Sequence, residues 1–313
     1  MTAEAAAAKL AATHEQLTAA IDALVDGPAW QTMLRIASRC HTYSPNNVLL
    51  IASQAPHANH VLGYKAWQDE GRQVRTGERG ISILAPIVRR ADPASDPTES
   101  APDPSQPPRL VRGFRVATVF DISQTDGPDL SSLTPTTLDG APPLGLFSDL
   151  LDAVEAAGYT FLYRDDLAPA NGVTNHRDRT VAIRDDLPGA QKVKTLTHEL
   201  AHVLLHTPET LPEGMTRPVA EVEAESVAYV VTAAHGLDAE DYTVPYVAGW
   251  AGGDRELIAA TSTRTLACAR EILQLAPPGA APPRDQGRPL ERDPVRDLIR
   301  DSEPVSQLRA VGR

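Results

Sequence analysis

Residues 195–206 read TLTHELAHVLLH, three histidines spaced by four with a glutamate after the first. On an α-helix, residues four apart share a face and lie about 6 Å from each other, so His198 and His202 can turn their imidazoles toward one ion. His206 stands two turns from His198, about 12 Å along the axis, too far to join an ion whose ligands sit about 2 Å away. It reads instead as a partly buried or capping histidine near the helix C-terminus. The other face of the helix, Leu196, Leu200, Val203 and Leu204, is apolar. Two imidazoles and the carboxylate of Glu199 are therefore polar intrusions near its middle, costly to bury without partners, and a metal ion removes that cost. His198 to His202 spell HExxH, the pattern in which two histidines hold zinc and the glutamate is the general base on bound water.

A catalytic zinc site takes three protein ligands, so the third must come from another segment. AEVEAESVAYVV, 220–231, supplies Glu221, Glu223 and Glu225 on a predicted helix. Two residues turn a helix by about 200°, so Glu221 and Glu225 share a face and Glu223 points elsewhere. Glu221 is the expected ligand, and Glu225 the expected partner of a ligating histidine. Two imidazoles and one carboxylate suit Zn2+ best and also accept Mn2+ or Co2+.

Outward from this helix the chain reads as α+β. Before it come a helix (GLFSDLLDAVEAAG), a strand (YTFLYR), an Asn171-Gly172 turn and a strand (TVAIR); after it come helices at about 218–236 and 254–275. In the front half, residues 3–26 and 28–40 are helical in composition or spacing, and Ser44-Pro45 opens a third helix as N-cap and first residue. YKAWQDEG forms a turn or two of helix closed by Gly71. GISILAPIV and RGFRVATVFDI alternate as paired antiparallel strands, joined by a proline-rich hairpin tip at 90–110 that we expect to be flexible. The expected organisation is a front domain over 1–125, a linker at 126–143, a second domain over 144–275 and a tail over 276–313 without fixed structure.

No run approaches the roughly 20 apolar residues of a membrane span, and the N-terminus lacks a signal peptide's basic start and apolar centre, so the expectation is a cytoplasmic protein with no membrane partner. Cys40 and Cys268 have no zinc-knuckle spacing and read as reduced and buried; His41 beside Cys40 does not make a nucleophilic pair, because adjacent residues seldom orient together. The net charge is −12, unevenly spread: Trp30–Thr125 holds 11 Lys/Arg against 8 Asp/Glu, and Asp126–Leu275 holds 10 against 23. The front half can meet a phosphate backbone and the back half would repel one.

An HExxH helix followed by an ExxxE helix resembles the zincin metallopeptidases of the gluzincin type, including the ImmA/IrrE-like group, with Glu225 where Asp or Asn is more usual. YSPNNVLLIASQAPHANHVLGYKAWQDEGRQVRTGERGISILAPI (43–87) and VFDISQT (119–125) resemble the N-terminal single-stranded-DNA-binding domain of ArdC-type antirestriction proteins, which in that family is joined to a zincin-like domain. The resemblance implies an accessory protein of a plasmid, phage or other mobile element that protects incoming DNA from restriction.

Single strands are held by cationic grooves with aromatic faces on which bases stack. The same stretch offers Tyr43, Tyr64 and Trp67, the cations Lys65, Arg72, Arg75 and Arg79, and the amides Asn46, Asn47 and Gln54 as nucleic-acid contacts, although Trp67 taken alone reads as a core residue before a stacking platform. Three functions stay open. In the first, DNA binding accompanies a zinc-dependent peptidase in which Glu199 is catalytic and TVAIR pairs by its edge with a protein substrate. In the second, the zinc is structural and protection comes from coating DNA. In the third, the chain is an ImmA-like peptidase that cuts a repressor protein.

Overall fold

A computed structural model of the chain describes residues 2–90, 109–128, 142–143, 145–237, 251–252 and 254–279. The hairpin tip over 91–108, most of the linker and the tail from residue 280 lie outside these residues.

The front half is helical with a small antiparallel sheet. Thr2 caps α1 (Ala3–Ala23) by accepting from the Ala5 amide. Helix α2 (Gly27–Arg39) opens on Pro28 and buries Trp30, Met33, Leu34 and Ala37, the stripe its spacing predicts. In α3 (Pro45–Gln54), Ser44 occupies the N-cap and Pro45 the first turn as expected, but the serine hydroxyl makes no capping bond. Next come β1 (Val61–Gly63), α4 (Tyr64–Asp69), β2 (Gln73–Val74), β3 (Ile81–Arg90), β4 (Arg109–Asp121) and β5 (Thr125–Asp126). The predicted strand pair is present: β3 and β4 run antiparallel with Ile81 opposite Val119, and Arg112 forms a bulge between Ile87 and Val88. Strand β1 lies on the other side of β4, leaving β3 at an edge, and β2 pairs with β5.

That edge is closed by side chains. Asn47 accepts from the Leu84 amide at 2.9 Å and donates to the Leu84 carbonyl at 2.9 Å. Gln54, two turns on, does the same for Ser82, both bonds at 2.9 Å. Residues 82 and 84 point their backbone groups the same way, so two amides on one helix stand in for the missing neighbour strand.

The back half contains α5 (Leu146–Ala156), β6 (Thr160–Tyr163), β7 (Gly172–Asn175), β8 (Thr180–Ile183), α6 (Gly189–Leu205), α7 (Arg217–Ala234) and α8 (Arg255–Leu275). Strand β7 corrects the sequence reading: Gly172 begins a strand rather than completing a turn with Asn171. The sheet order is β6-β8-β7, with β6 parallel and β7 antiparallel to β8. Helix α6 packs on α5, α7 and α8. A single hydrophobic cluster unites both halves, from Trp30 and Leu34 in front to Leu200, Val227 and Ile272 behind. At its centre the Trp30 indole donates to Ser226 on α7 at 3.3 Å. Both cysteines are free and buried, as expected. Burial, with the negative charge of Asp121, pushes the Cys40 thiol up to about 12, far from a nucleophile's range. Among the described residues no helix is long and apolar enough to cross a membrane.

Candidate metal centre

Helix α6 carries its apolar stripe inward, burying Leu196, Leu200 and Val203, and turns His198 and His202 toward α7. Their Nε2 atoms stand 3.1 Å apart. Glu221 Oε2, from the first turns of α7, lies 3.4 Å from His198 Nε2 and 3.7 Å from His202 Nε2. All three donor atoms fall within 4.8 Å of one another. Ligands about 2.0–2.2 Å from one tetrahedral ion are themselves about 3.3–3.6 Å apart, so the spacing fits a small divalent cation. Glu221's side chain is 46% exposed while the histidines are below 20%, so the site opens to solvent on the glutamate side.

Glu225 stands behind His198, as its place one turn after Glu221 predicts. Its Oε2 lies 3.3 Å from His198 Nδ1, within ion-pair range but off the line of a hydrogen bond, and its Oε1 pairs with Lys194 at 2.7 Å. Burial by itself would depress the His198 imidazole, but the carboxylates of Glu221 and Glu225 outweigh it and hold its pKa up at about 9. The same contact, aided by Lys194, draws Glu225 down to about 2.

Glu199 is buried on the β7 side of the helix. The Thr174 hydroxyl donates to its Oε2 at 2.8 Å, which fixes the carboxylate's rotation. Burial raises its pKa and the threonine only partly offsets this. Gly172 leaves the space: a Cβ there would lie 2.6 Å from Glu199 Oε1. Neither Gly172 nor Thr174 was identified from sequence, because Asn-Gly imitates a turn and a four-residue strand carries little periodicity.

His206 occupies the C-cap of α6, as its bland reading has it, yet its contacts go further. Nδ1 meets His202 Nδ1 at 2.9 Å and Nε2 meets Glu223 Oε2 at 3.0 Å. Glu223 is wholly buried and receives the Arg264 guanidinium at 3.0 and 3.2 Å. The sequence did hold a signal for this: Glu223 falls four residues from both Val219 and Val227 on the buried stripe of α7.

The nucleic-acid candidates divide. Trp67 is fully buried, its indole donating to the Phe120 carbonyl at 2.9 Å. Arg72 is 9% exposed and spends its guanidinium on Thr125 and the Pro128 carbonyl. Asn47 and Gln54 hold the β3 edge, and half-buried Tyr43 donates to the Val61 carbonyl at 2.8 Å. Trp67 is thus the core residue its reading favours, and the other four spend their polar groups on the framework. Arg75 is exposed but tied to Glu78 at 2.8 Å and Asp126 at 3.4 Å. Asn46, Tyr64, Lys65 and Arg79 face solvent. Phe114, 49% exposed between exposed Arg112 and Arg115 on β4, is an aromatic and basic surface the sequence reading overlooked.

Residues 4–120 match the family described as the N-terminal domain of anti-restriction factor ArdC. Over 264 residues the chain is 26% identical to an uncharacterized protein of Bacillus anthracis, an alignment covering 72% of this chain and 44% of that protein. The chain thus spans less than half the length of this curated relative. Two crystal structures of the antirestriction ArdC protein from plasmid R388 are similar, one metal-free (20% identity, TM-score 0.47) and one Mn(II)-bound (21%, 0.46). Each match covers 75% of this chain and 85% of the solved one.

Proposed function

We propose, from the match of residues 4–120 to the N-terminal domain of anti-restriction factor ArdC, that the front half holds single-stranded DNA while the back half is a zincin-like, metal-dependent hydrolytic centre acting on a protein. The observation that carries the second part is the convergence of His198, His202 and Glu221 from two helices within 4.8 Å. The donor set suits Zn2+ best and accepts Mn2+ or Co2+. A divalent cation there would polarise a substrate carbonyl and acidify a water.

The chain's own residues supply the rest. Glu225 orients His198 from its Nδ1 side. Glu199, held by Thr174 and raised in pKa by burial, accepts a proton more readily than an exposed carboxylate would. The edge open to an extended peptide belongs to β7, not to TVAIR: β8 is the central strand and already paired on both sides. The exposed face of Glu221 leaves room for such a chain. On the DNA side, Asn46, Tyr64, Lys65, Arg79 and the Phe114 region supply exposed hydrogen-bonding, aromatic and cationic groups, and the front half carries the chain's positive balance.

Restriction protection in cells, compared for the wild type and Glu199→Gln with metal content measured on both, tests this reading. Retained metal with lost protection supports a hydrolytic role. Full protection by the variant with metal retained would overturn that role and leave DNA coating as the function.

A further inference from the structure

We propose that His206 and Glu223, held by Arg264, are positioning residues for His202, joined to it by a chain of hydrogen bonds that run in one direction. The inference rests on the metal reading of His198, His202 and Glu221 and extends it to residues whose side chains supply no donor atom to the cation.

Glu223 is the anomaly that calls for a role. It is 0% exposed, its helix neighbours are Val222 and Ala224, and the same volume filled by apolar groups would cost less than a desolvated carboxylate. Its oxygens are nevertheless fully engaged, by Arg264 Nε at 3.0 and 3.2 Å and by His206 Nε2 at 3.0 Å. Arg264, on α8, also donates to the Leu205 carbonyl at 2.9 Å, so it fastens the C-terminal end of α6 as it pairs with Glu223. His206 itself is 6% exposed, and its Nδ1 reaches His202 Nδ1 at 2.9 Å.

With His206 as a neutral imidazole, the chemistry of these atoms sets the direction of each bond. Arginine only donates, so Glu223 accepts from it. A carboxylate oxygen facing His206 Nε2 requires that nitrogen to carry hydrogen. A neutral His206 then has a lone pair on Nδ1, which must accept from His202 Nδ1–H. His202 is left with its lone pair on Nε2, the atom that stands beside His198 Nε2 and Glu221. The chain thus sets the one tautomer of His202 able to bind a cation, and the buried carboxylate raises that nitrogen's donor strength through two bonds.

The test uses the full-length protein with Zn2+ and, separately, Mn2+, metal affinity being measured by competition with a chromophoric chelator. His206→Phe keeps the ring volume and removes the acceptor; it should weaken metal binding by about 10–100-fold, as losses of such outer partners do. His206→Asn, whose amide oxygen can accept in place of Nδ1, should recover most of that loss, which a merely space-filling role would not allow. Glu223→Gln should fall between them. Nitrogen-15 shifts of the zinc-loaded wild type should show His206 neutral with hydrogen on Nε2. Wild-type affinity in both His206→Phe and Glu223→Gln, or a His206 carrying hydrogen on Nδ1, overturns the proposal; should His206→Phe not fold, the other two measurements decide. Failure of the wild type to take up either cation would sink the metal reading itself, an outcome distinct from uptake that the variants leave unchanged.

Discussion

Glycine at 172 is fixed by its neighbours rather than by its own backbone. A Cβ at this position would stand 2.6 Å from Glu199 Oε1 and 2.7 Å from Thr195 Cγ2, contacts real structures do not contain. Gly172→Ala should therefore displace the Glu199 carboxylate and destabilise the fold by about 1–3 kcal/mol, read from the denaturant midpoint. His198 sets a second expectation at this scale. Its pKa rises from the ordinary 6.5 to about 9 in the folded, metal-free protein. A raised pKa means that its contribution to stability is complete below pH 6.5 and lost as pH climbs through about 9. The melting temperature of chelator-treated protein should accordingly fall between pH 6.5 and 9.5. Metal affinity should rise over the same window, because the cation must displace that proton. A melting temperature that climbs over this range would contradict the ion pair.

Among the elements, α3 and the β3–β4 hairpin show how readily framework and surface residues exchange roles when read from sequence. Asn47 and Gln54 have the chemistry to bind phosphate or base edges, but they cap a strand edge. Asn47→Ala, which strips both bonds from the buried Leu84 backbone, should cost about 1–3 kcal/mol of stability in a urea titration, with little change in DNA affinity of the protein that remains folded. Phe114 should behave in the opposite way. It is half exposed, so Phe114→Ala should leave the urea midpoint within about 0.5 kcal/mol. It should weaken single-strand binding by about 1–3 kcal/mol if a base stacks there, as fluorescence anisotropy with a labelled oligonucleotide would reveal. Unchanged affinity would move the stacking platform elsewhere, to Tyr64 first.

At the level of the whole molecule, the hydrophobic cluster joins the half that carries Trp30 to the half that carries His198, His202 and Glu221. Unfolding followed by tryptophan fluorescence and by release of bound metal should therefore give coincident transitions, whereas two independent domains would give two. Charge divides the molecule where packing does not. Lys and Arg exceed Asp and Glu in the front half and are outnumbered more than two to one behind. Single-strand affinity should thus fall steeply as salt rises from about 50 to 200 mM, the signature of phosphate contacts.

By itself the sequence determined the elements whose signals are local. Helical spacing placed His198 with His202, and Glu221 with Glu225, on one face of each helix, alternation marked the long strand pair, and Gly-Pro and Ser-Pro set helix boundaries. Only the tertiary structure decided which polar groups are spent on the fold. Trp67, Arg72, Asn47 and Gln54 find partners 28 to 56 residues away in pairings no local pattern encodes, and Glu223 is buried because α8 brings Arg264 across to meet it. The physical reason is that a hydrogen-bonding side chain reads the same in sequence whether its partner is water, a ligand or a distant backbone carbonyl, whereas burial settles which of the three it has.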